Sequence, residues 1–166
     1  LGNINIKYST DGGATYPNLI TGTSVPAANL NYTWTPIPDT IGTTAKVLIE
    51  LVSDPSGVFD ASDANFSIKG SLTLTAPNGG QTLSVGAGTN ITWTKNGSIG
   101  NVELSYSTDG GATFPPANVI ATGLLPTASP YAWTVPDAIS STVRVKVLLI
   151  SDTTVFDISD SNLAIK

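Results

Sequence analysis

The chain has 166 residues, of which 40% are hydrophobic and only 11% are charged, against about 25% charged residues in an average globular domain. This apolar share suffices for a packed core, and the surface must therefore be covered largely by threonine, serine, asparagine and glycine. Seven basic and twelve acidic side chains give a net charge of −5, which excludes the basic surface that nucleic acids and anionic membranes require.

Three residue types are absent: histidine, cysteine and methionine. Without histidine the chain lacks the commonest general base and transition-metal ligand. Without cysteine it has no thiolate nucleophile, no thiolate-bound zinc and no disulfide. The longest apolar run, residues 147–150, is far too short to span a bilayer. Because no methionine stands at position 1, we expect a processed product or a part of a longer chain.

In the first part of the chain, alternating apolar and polar residues predict strands. The predicted strands are residues 3–10, 30–35, 45–52 and 64–69, with a short apolar piece at 19–20. Pro36 and Pro38 end the strand at 30–35, because proline cannot donate to a ladder. We predict a polar loop at residues 54–63. The strand at 45–52 carries four apolar side chains on one face: Ala45, Val47, Ile49 and Leu51.

Gly70 marks a boundary, after which new strands are predicted at residues 71–75, 81–85 and 89–94. From Asn101 onward the pattern of the first part repeats: residues 131–133 match 32–34, residues 143–152 match 45–54, and residues 159–163 match 62–66. We expect Trp93, Tyr106, Trp133 and one face of residues 143–149 to fill the core. No stretch shows sustained helical periodicity, and the sequence therefore predicts an all-β protein with almost no helix.

The clearest sign of this repeat is a stretch that occurs at residues 8–16 and again, 98 positions later, at residues 106–114. Each copy ends a strand in an Asp-Gly-Gly sequence, which predicts a tight hairpin turn. Aspartate bonds the local backbone in such turns, and glycine adopts the positive φ that they need. The predicted turn residues are Asp11, Gly12, Gly13, Asp109, Gly110 and Gly111.

These elements predict two tandem β-sandwiches, residues 1–69 and 70–166. The second contains an opening hairpin, residues 71 to 100, that has no counterpart in the first. We therefore expect the first sandwich to be incomplete, with an uncovered edge and an exposed core. Two sources would complete it: strands that precede residue 1 in a longer chain, or strand addition by a neighbouring molecule.

Four short motifs of the second half carry a resemblance to a known family. They are Pro-Asn-Gly-Gly-Gln at 77–81, Ile-Thr-Trp at 91–93, Leu-Ser-Tyr-Ser at 104–107 and Tyr-Ala-Trp-Thr-Val-Pro at 131–136. This pattern resembles the Ig-like or fibronectin-III-like tandem repeats of large secreted bacterial and archaeal surface proteins. The yeast Ser/Thr-rich cell-wall domain family is more distantly similar. The resemblance implies Ig-like or fibronectin-III-like sandwiches, the first holding the equivalents of strands C to G.

A narrower resemblance concerns the hairpin turns. The pattern Ser-x-Asp-x-Gly-x-Thr, at residues 9–15 and 107–113, resembles the Asp-box hairpin of sialidase-like propellers. In that family the box is a structural turn away from the active site. Propeller blades recur at roughly 40–50 residues, about half the spacing found here. The resemblance therefore implies a turn and not a sialidase activity.

All ten aspartates recur between the two halves, and all fall in predicted turns or loops. Turn formation through local hydrogen bonds accounts for such positions. The alternative hypothesis is a calcium site in each half, because carboxylate oxygens are the hard ligands that Ca²⁺ prefers. The candidate ligands are Asp54, Asp60, Asp63, Asp152, Asp157 and Asp160.

The chain has two glutamates, Glu50 and Glu103, each on a predicted strand with no evident partner. A glycosidase needs two carboxylates that flank the sugar. Glu103 alternates with core residues and is therefore predicted to face solvent. The sequence indicates no catalytic residues, no enzyme activity and no required cofactor.

Sugars enter the predictions in two ways. Four Asn-x-Ser/Thr sequons make candidate glycosylation sites of Asn96, Asn31, Asn65 and Asn90, with Asn96 in a predicted turn. Tyr16 and Phe114 each follow an Asp-Gly-Gly turn. These two rings either form an exposed platform for a sugar or tuck under the hairpin.

Taken together, the patterns predict an extracellular structural or adhesive repeat, which acts as a spacer or as a building block of a cell-surface layer, stalk or filament. Such repeats contact mainly their neighbours, and the expected partners are adjacent repeats or identical subunits. Two alternatives remain open. One is a carbohydrate-binding accessory module of a secreted enzyme, with a polysaccharide as partner. The other is a polymerising subunit completed by strand donation from a neighbouring chain.

Overall fold

The computed structural model describes residues 2–166. The chain divides into two compact units, Leu1–Lys69 (unit 1) and Gly70–Lys166 (unit 2). Within the described residues the helical segments are two 3-10 turns of three residues each, Ala27–Asn29 and Pro116–Asn118, and the all-β prediction is confirmed. None of the helical segments in residues 2–166 has the length and apolar character needed to cross a membrane.

Unit 1 contains six strands. They are β1 (Asn3–Ser9), β2 (Asn18–Leu19), β3 (Val25–Pro26), β4 (Gly42–Leu51), β5 (Asp54–Ala61) and β6 (Phe66–Ile68). They form one sheet in the order β2-β1-β4-β5, in which β3 also pairs with β1 and β6 also pairs with β4. All six described strands of this unit therefore belong to a single layer.

The apolar face of unit 1 is buried at one end only. In the antiparallel pair β1–β4, Tyr8 lies opposite Val47 and Ile6 lies opposite Ile49. Tyr8 is 8% exposed, and its ring packs against Trp34 with 5.0 Å between the ring centroids. Ile49, two positions along β4, is 43% exposed. Trp34 thus covers the end of the face near the Asp-Gly-Gly turn, and the other end stays open.

Unit 2 contains nine strands. They are β7 (Ser71–Ala76), β8 (Thr82–Leu83), β9 (Gly88–Asn96), β10 (Val102–Ser107), β11 (Val119–Leu124), β12 (Tyr131–Thr134), β13 (Ser140–Leu149), β14 (Phe156–Ile158) and β15 (Leu163–Ile165). One sheet has the order β11-β10-β13-β15-β8, with β14 paired to β13, and a second sheet has the order β12-β9-β7. The two sheets form a β-sandwich around one hydrophobic core.

The core of unit 2 lies between these sheets and has the predicted members. Val145 and Val147 on β13 are fully buried, and Trp93 on β9 is 4% exposed. Trp133 is also buried. The half-buried ring of Tyr106 packs against it, with 5.8 Å between the two ring centroids. Alternate residues of β13 and of β9 are buried in the same core, as expected for strands with one face turned inward.

Unit 1 repeats the larger sheet of unit 2 and lacks the smaller one. Strands β1 and β4 correspond to β10 and β13, and both pairs have the same antiparallel register: Ile6 is opposite Ile49 as Leu104 is opposite Val147. Nothing in unit 1 corresponds to β7 and β9 within the described residues. The same alternating sequence therefore faces a second sheet in unit 2 and an open space in unit 1.

The strand predicted at residues 30–35 is wrong. These residues belong to no strand, although Tyr32 and Trp34 match Tyr131 and Trp133 of β12. In unit 2, β12 pairs with β9. Because unit 1 has no counterpart of β9, a strand at residues 30–35 would have no ladder partner, and the segment instead follows an irregular path.

The loop predicted at residues 54–63 is also wrong over most of its length. Residues 54–61 form β5, which pairs with β4 through Leu48, Ile49 and Glu50. Val58 and Phe59 supply the β-forming side chains, and Pro55 is tolerated because β5 lies at the edge of the sheet. The flanking Asp, Ser and Gly residues concealed this strand in the sequence.

Candidate functional site

The first repeated feature is the turn after β1. The buried hydroxyl of Ser9 accepts hydrogen bonds from the backbone N–H groups of Asp11 (3.1 Å) and Gly13 (2.9 Å), and donates to Asp11 Oδ1 at 2.6 Å. The Asp11 carboxylate then accepts from the backbone N–H and the hydroxyl of Thr15, at 3.0 and 2.6 Å. Gly12 and Gly13 have φ of 76° and 92°, the left-handed region that favours glycine.

The turn after β10 repeats this network bond for bond. Ser107 accepts from the N–H groups of Asp109 (3.2 Å) and Gly111 (3.0 Å) and donates to Asp109 Oδ1. Asp109 accepts from the N–H and hydroxyl of Thr113 at 3.0 and 2.6 Å. The sequence singled out the aspartates and glycines of these turns. Ser9 and Ser107 are both fully buried. The sequence analysis did not predict that these two serines would make the central hydrogen bonds of the turns.

Hydrogen bonding also sets the charge state of the two turn aspartates. The Ser9 hydroxyl, followed by the bonds from Thr15, holds the pKa of Asp11 well below its ordinary value. The Ser107 hydroxyl and the bonds from Thr113 do the same to the pKa of Asp109. Hydrogen bonds to the charged form favour ionisation. Both carboxylates are therefore ionised and accept hydrogen bonds from donors of their own turns.

Each turn is attached to the start of the neighbouring long strand. The backbone N–H of Gly12 donates to the carbonyl of Thr44 at 2.9 Å, and that of Gly110 donates to the carbonyl of Thr142 at 2.7 Å. The Thr44 hydroxyl donates in return to the carbonyl of Thr10 at 2.6 Å. Every described polar contact of these turns stays within its own unit, which is the arrangement of a structural element.

The aromatic residues after the turns do not form an exposed row. Tyr16 is half-buried with its hydroxyl over the backbone of Gly13, where an added Cβ would meet it at 2.8 Å. The half-buried Phe114 ring receives the Lys146 ammonium group at 4.1 Å from its centroid. Tyr16 therefore packs against its own turn, and Phe114 contacts a side chain of β13.

Four of the six candidate calcium ligands accept hydrogen bonds from backbone or side-chain donors. In unit 2, Asp157 accepts the N–H of Leu74 at 2.7 Å, and Asp160 accepts from the Asn78 side chain at 2.7 Å. Asp152 accepts from Thr154. In unit 1, Asp54 accepts the backbone N–H of Gly57 at 2.9 Å. Asp60 lies on β5 facing Ile49, and Asp63 is exposed beyond it.

The predicted convergence of Asp54, Asp60 and Asp63, and of Asp152, Asp157 and Asp160, is therefore wrong. Within residues 2–166 no group of three or more acidic side chains is placed to hold a metal ion. In unit 1 the extended strand β5 separates Asp54, its first residue, from Asp60 near its other end. In unit 2 Asp157 lies on β14, between the loops that carry Asp152 and Asp160.

The two glutamates have different environments. Glu50 is 8% exposed, forms an ion pair with Lys7 at 2.6 Å and accepts from the Asn5 amide at 3.1 Å. The bond from Lys7 is the main cause that lowers the pKa of Glu50. Glu103 is half-buried rather than fully solvated. Burial lowers the pKa of Lys146, and the charge of Glu103 opposes that shift. Both glutamates thus stabilise lysines on the outer faces of the sheets.

All four sequon asparagines are exposed: Asn31, Asn65, Asn90 and Asn96. Asn96 is the last residue of β9, and its amide donates to the Ser71 hydroxyl at 3.3 Å. Asn90 lies within β9 opposite Ala132. The geometry leaves each side chain on the surface.

The remaining feature is an apolar groove of about 420 Å³ on the open face of unit 1. Its floor is formed by β1 and β4 through Ile4, Ile6, Ile49 and Leu51. Leu30, which has a left-handed φ of 56° and is 94% exposed, lies at its border. Asp60 also lines the groove. The sequence predicted this exposed face, but it did not predict that a carboxylate would line it.

The solved structures that are similar to this chain include the following two. One is described as Clostridium thermocellum CbhA fibronectin(III)-like modules; it is 18% identical, the match covers 97% of this chain and 76% of that chain, and the TM-score is 0.32. The other is a chimeric titin Z1Z2-Z1Z2 tandem carrying a GRGDS peptide from fibronectin; it is 15% identical, with 99% and 85% covered and a TM-score of 0.31. No protein-family model and no curated protein matches the chain.

Proposed function

We propose that this chain is an extracellular structural repeat protein, a spacer or building block of a cell-surface layer, stalk or filament. The observation that carries the proposal is the repetition itself. The polar network of Ser9, Asp11 and Thr15 recurs in Ser107, Asp109 and Thr113. A residue needed for one reaction has no reason to occur in every repeat, whereas a residue that shapes a repeat does.

The distribution of charge and polar groups supports the same role. The acidic side chains of both turns bond donors of their own turn, and Glu50 bonds Lys7 and Asn5. Salt screens the interactions between charged groups. A surface with few charges and many hydroxyl and amide groups is therefore little affected by changes in salt concentration. Such a surface suits a protein outside the cell.

Polysaccharide binding is the weaker candidate. Stacking on a sugar needs an exposed aromatic face, and the Phe114 face contacts Lys146 while Tyr16 contacts Gly13. These intramolecular contacts favour a packing role for the two rings over recognition of a carbohydrate.

The test uses intact cells of the source organism and an antibody raised against residues 70–166. Cells are treated with a protease that does not enter them, and the protein is then followed by immunoblot and by immunogold electron microscopy. We expect immunogold label on the cell envelope or on extracellular fibres. We also expect the immunoblot signal to be lost after protease treatment of intact cells. A signal that is protected in intact cells and appears only after lysis would overturn it.

A further inference from the structure

We propose that the open face of unit 1 is a docking site for a β-hairpin with the sequence pattern of residues 71–96, joined to β1 as β9 is joined to β10. This inference extends the proposed function, because it names the element that completes one repeat. Unit 2 provides the internal reference, since it presents the same sheet with the hairpin in place.

The apolar floor of the groove matches the surface that β7 and β9 cover in unit 2. Ile49 is 43% exposed, whereas its counterpart Val147 is fully buried. In unit 2 the covering side chains are Leu72 and Leu74 of β7 with Ile91 and Trp93 of β9, all buried in the same core. A strand pair with apolar residues at alternate positions therefore has the chemistry that the floor of the groove needs.

A carboxylate on the rim supplies a polar contact for the same hairpin. Asp157 lies opposite Val147 and accepts the backbone N–H of Leu74 at 2.7 Å. Asp60 lies opposite Ile49, the equivalent of Val147, and lines the groove. A first strand docked as β7 is docked would direct the corresponding N–H at Asp60. This contact distinguishes a β-strand backbone from an apolar small molecule.

The residues that enter β1 favour a hairpin attached directly ahead of it. Gly2 and Asn3 repeat Gly100 and Asn101, the end of the connection from β9 to β10. The carbonyl of Asn3 accepts the N–H of Val52 at 3.0 Å, as the carbonyl of Asn101 accepts that of Ile150 at 3.0 Å. The start of β1 is thus held as it is in the unit with a hairpin.

A second copy of this chain is the less favourable occupant. Its own β7–β9 hairpin already buries Leu74 to 1% and Ile91 to 0% exposure. Donation of that hairpin to a neighbour would open one sandwich to close another, with no net gain of buried apolar surface.

The experiment adds a second copy of residues 70–98 directly ahead of Leu1 in the full chain. Because the chain has no cysteine, the variant Ile49→Cys reports the accessibility of the groove through its rate of reaction with a maleimide. The control is Ile41→Cys, since Ile41 is 44% exposed and its counterpart Ile139 stays 73% exposed in the complete unit.

We expect the extension to slow maleimide labelling of Ile49→Cys by about tenfold or more, because the covered site reacts only after local opening. The labelling rate of Ile41→Cys should not change. Asp60→Ala in the extended chain should restore part of the labelling rate. The same extension with Leu74→Lys and Ile91→Lys in the added copy should give no protection.

Two results would overturn the proposal. One is an equal labelling rate at Ile49→Cys with and without the extension. The other is slow labelling of Ile49→Cys in the unextended chain that becomes slower as the protein concentration rises, together with a dimer mass in light scattering. That result would make a second copy of the chain the occupant. Neither result depends on where the protein resides in the source organism, and failure of the proposed extracellular role is therefore distinguishable from failure of this inference.

Discussion

The carboxylate of Asp157 accepts the backbone N–H of Leu74 at 2.7 Å and so ties β7 to the larger sheet of unit 2. The equivalent carboxylate in unit 1, Asp60, lines an open groove. Aspartate at the same register position therefore bonds a strand in unit 2, and lies beside an open face in unit 1.

This difference predicts unequal effects of the same substitution. Asp157→Ala leaves the N–H of Leu74 without its acceptor and should lower the free energy of unfolding of unit 2 by about 1–3 kcal/mol. Asp60→Ala is the matched control and should change unit 1 by less than about 0.5 kcal/mol. Urea unfolding followed by two-dimensional NMR resolves the two units. Equal losses in both units would contradict the assignment.

The apolar floor gives a second matched pair. Val147→Ala removes two carbon atoms from a fully buried site and should cost roughly 2–3 kcal/mol. Ile49→Ala removes three carbon atoms from a side chain that is 43% exposed, and should cost about 1 kcal/mol or less because much of the side chain already contacts water. The smaller deletion should therefore be the more harmful one. The opposite order would show that the face of unit 1 is covered.

The turn aspartates predict a specific dependence on pH. The pKa values of Asp11 and Asp109 are held below the ordinary value by Ser9 and Ser107. Because the folded-state pKa of each is lowered, the two carboxylates contribute stability that is fully present above about pH 5. This stability is lost progressively as the pH falls through the unfolded pKa of about 4 toward the folded pKa.

The double variant Asp11→Asn with Asp109→Asn should therefore melt at a lower temperature than the natural chain at pH 7. The difference between their melting temperatures should shrink as the pH falls from about 5 to about 2. Differential scanning calorimetry over this range measures it. A difference that stays constant with pH would show that the carboxylates are not the acidic groups that stabilise the turns.

Calcium provides a fourth test. The described residues place no three carboxylates together, and we expect the melting temperature to be the same with excess CaCl₂ and with a chelator. Ligands that bind only the folded state raise the melting temperature. A reproducible rise that Asp160→Asn abolishes would instead restore the calcium hypothesis for the loop before β15.

The sequence predicted most strands because alternation depends only on neighbours along one chain segment. It failed at residues 30–35, where Tyr32 and Trp34 have the pattern of a strand but lack the partner that β9 gives to Tyr131 and Trp133. It also missed β5, because Val58 and Phe59 are surrounded by turn-forming residues and depend on the edge of β4 for pairing. The first error concerns pairing between distant segments, which local patterns do not encode. The second concerns a local hairpin whose second strand is rich in turn-forming residues. The position of Asp60 at the groove was not predicted either, because it follows from the pairing of β5 with β4.

The most direct test of the account is hydrogen exchange of the unextended chain, measured by mass spectrometry on peptides from β4 and β13. The two strands are equivalent in register, but only β13 faces a second sheet. We expect residues 143–149 to exchange through global unfolding. We expect residues 45–51 to exchange faster by about tenfold or more, because local opening is less costly where fewer apolar contacts must break. Equal protection of the two strands would contradict the claim that unit 1 carries an open face.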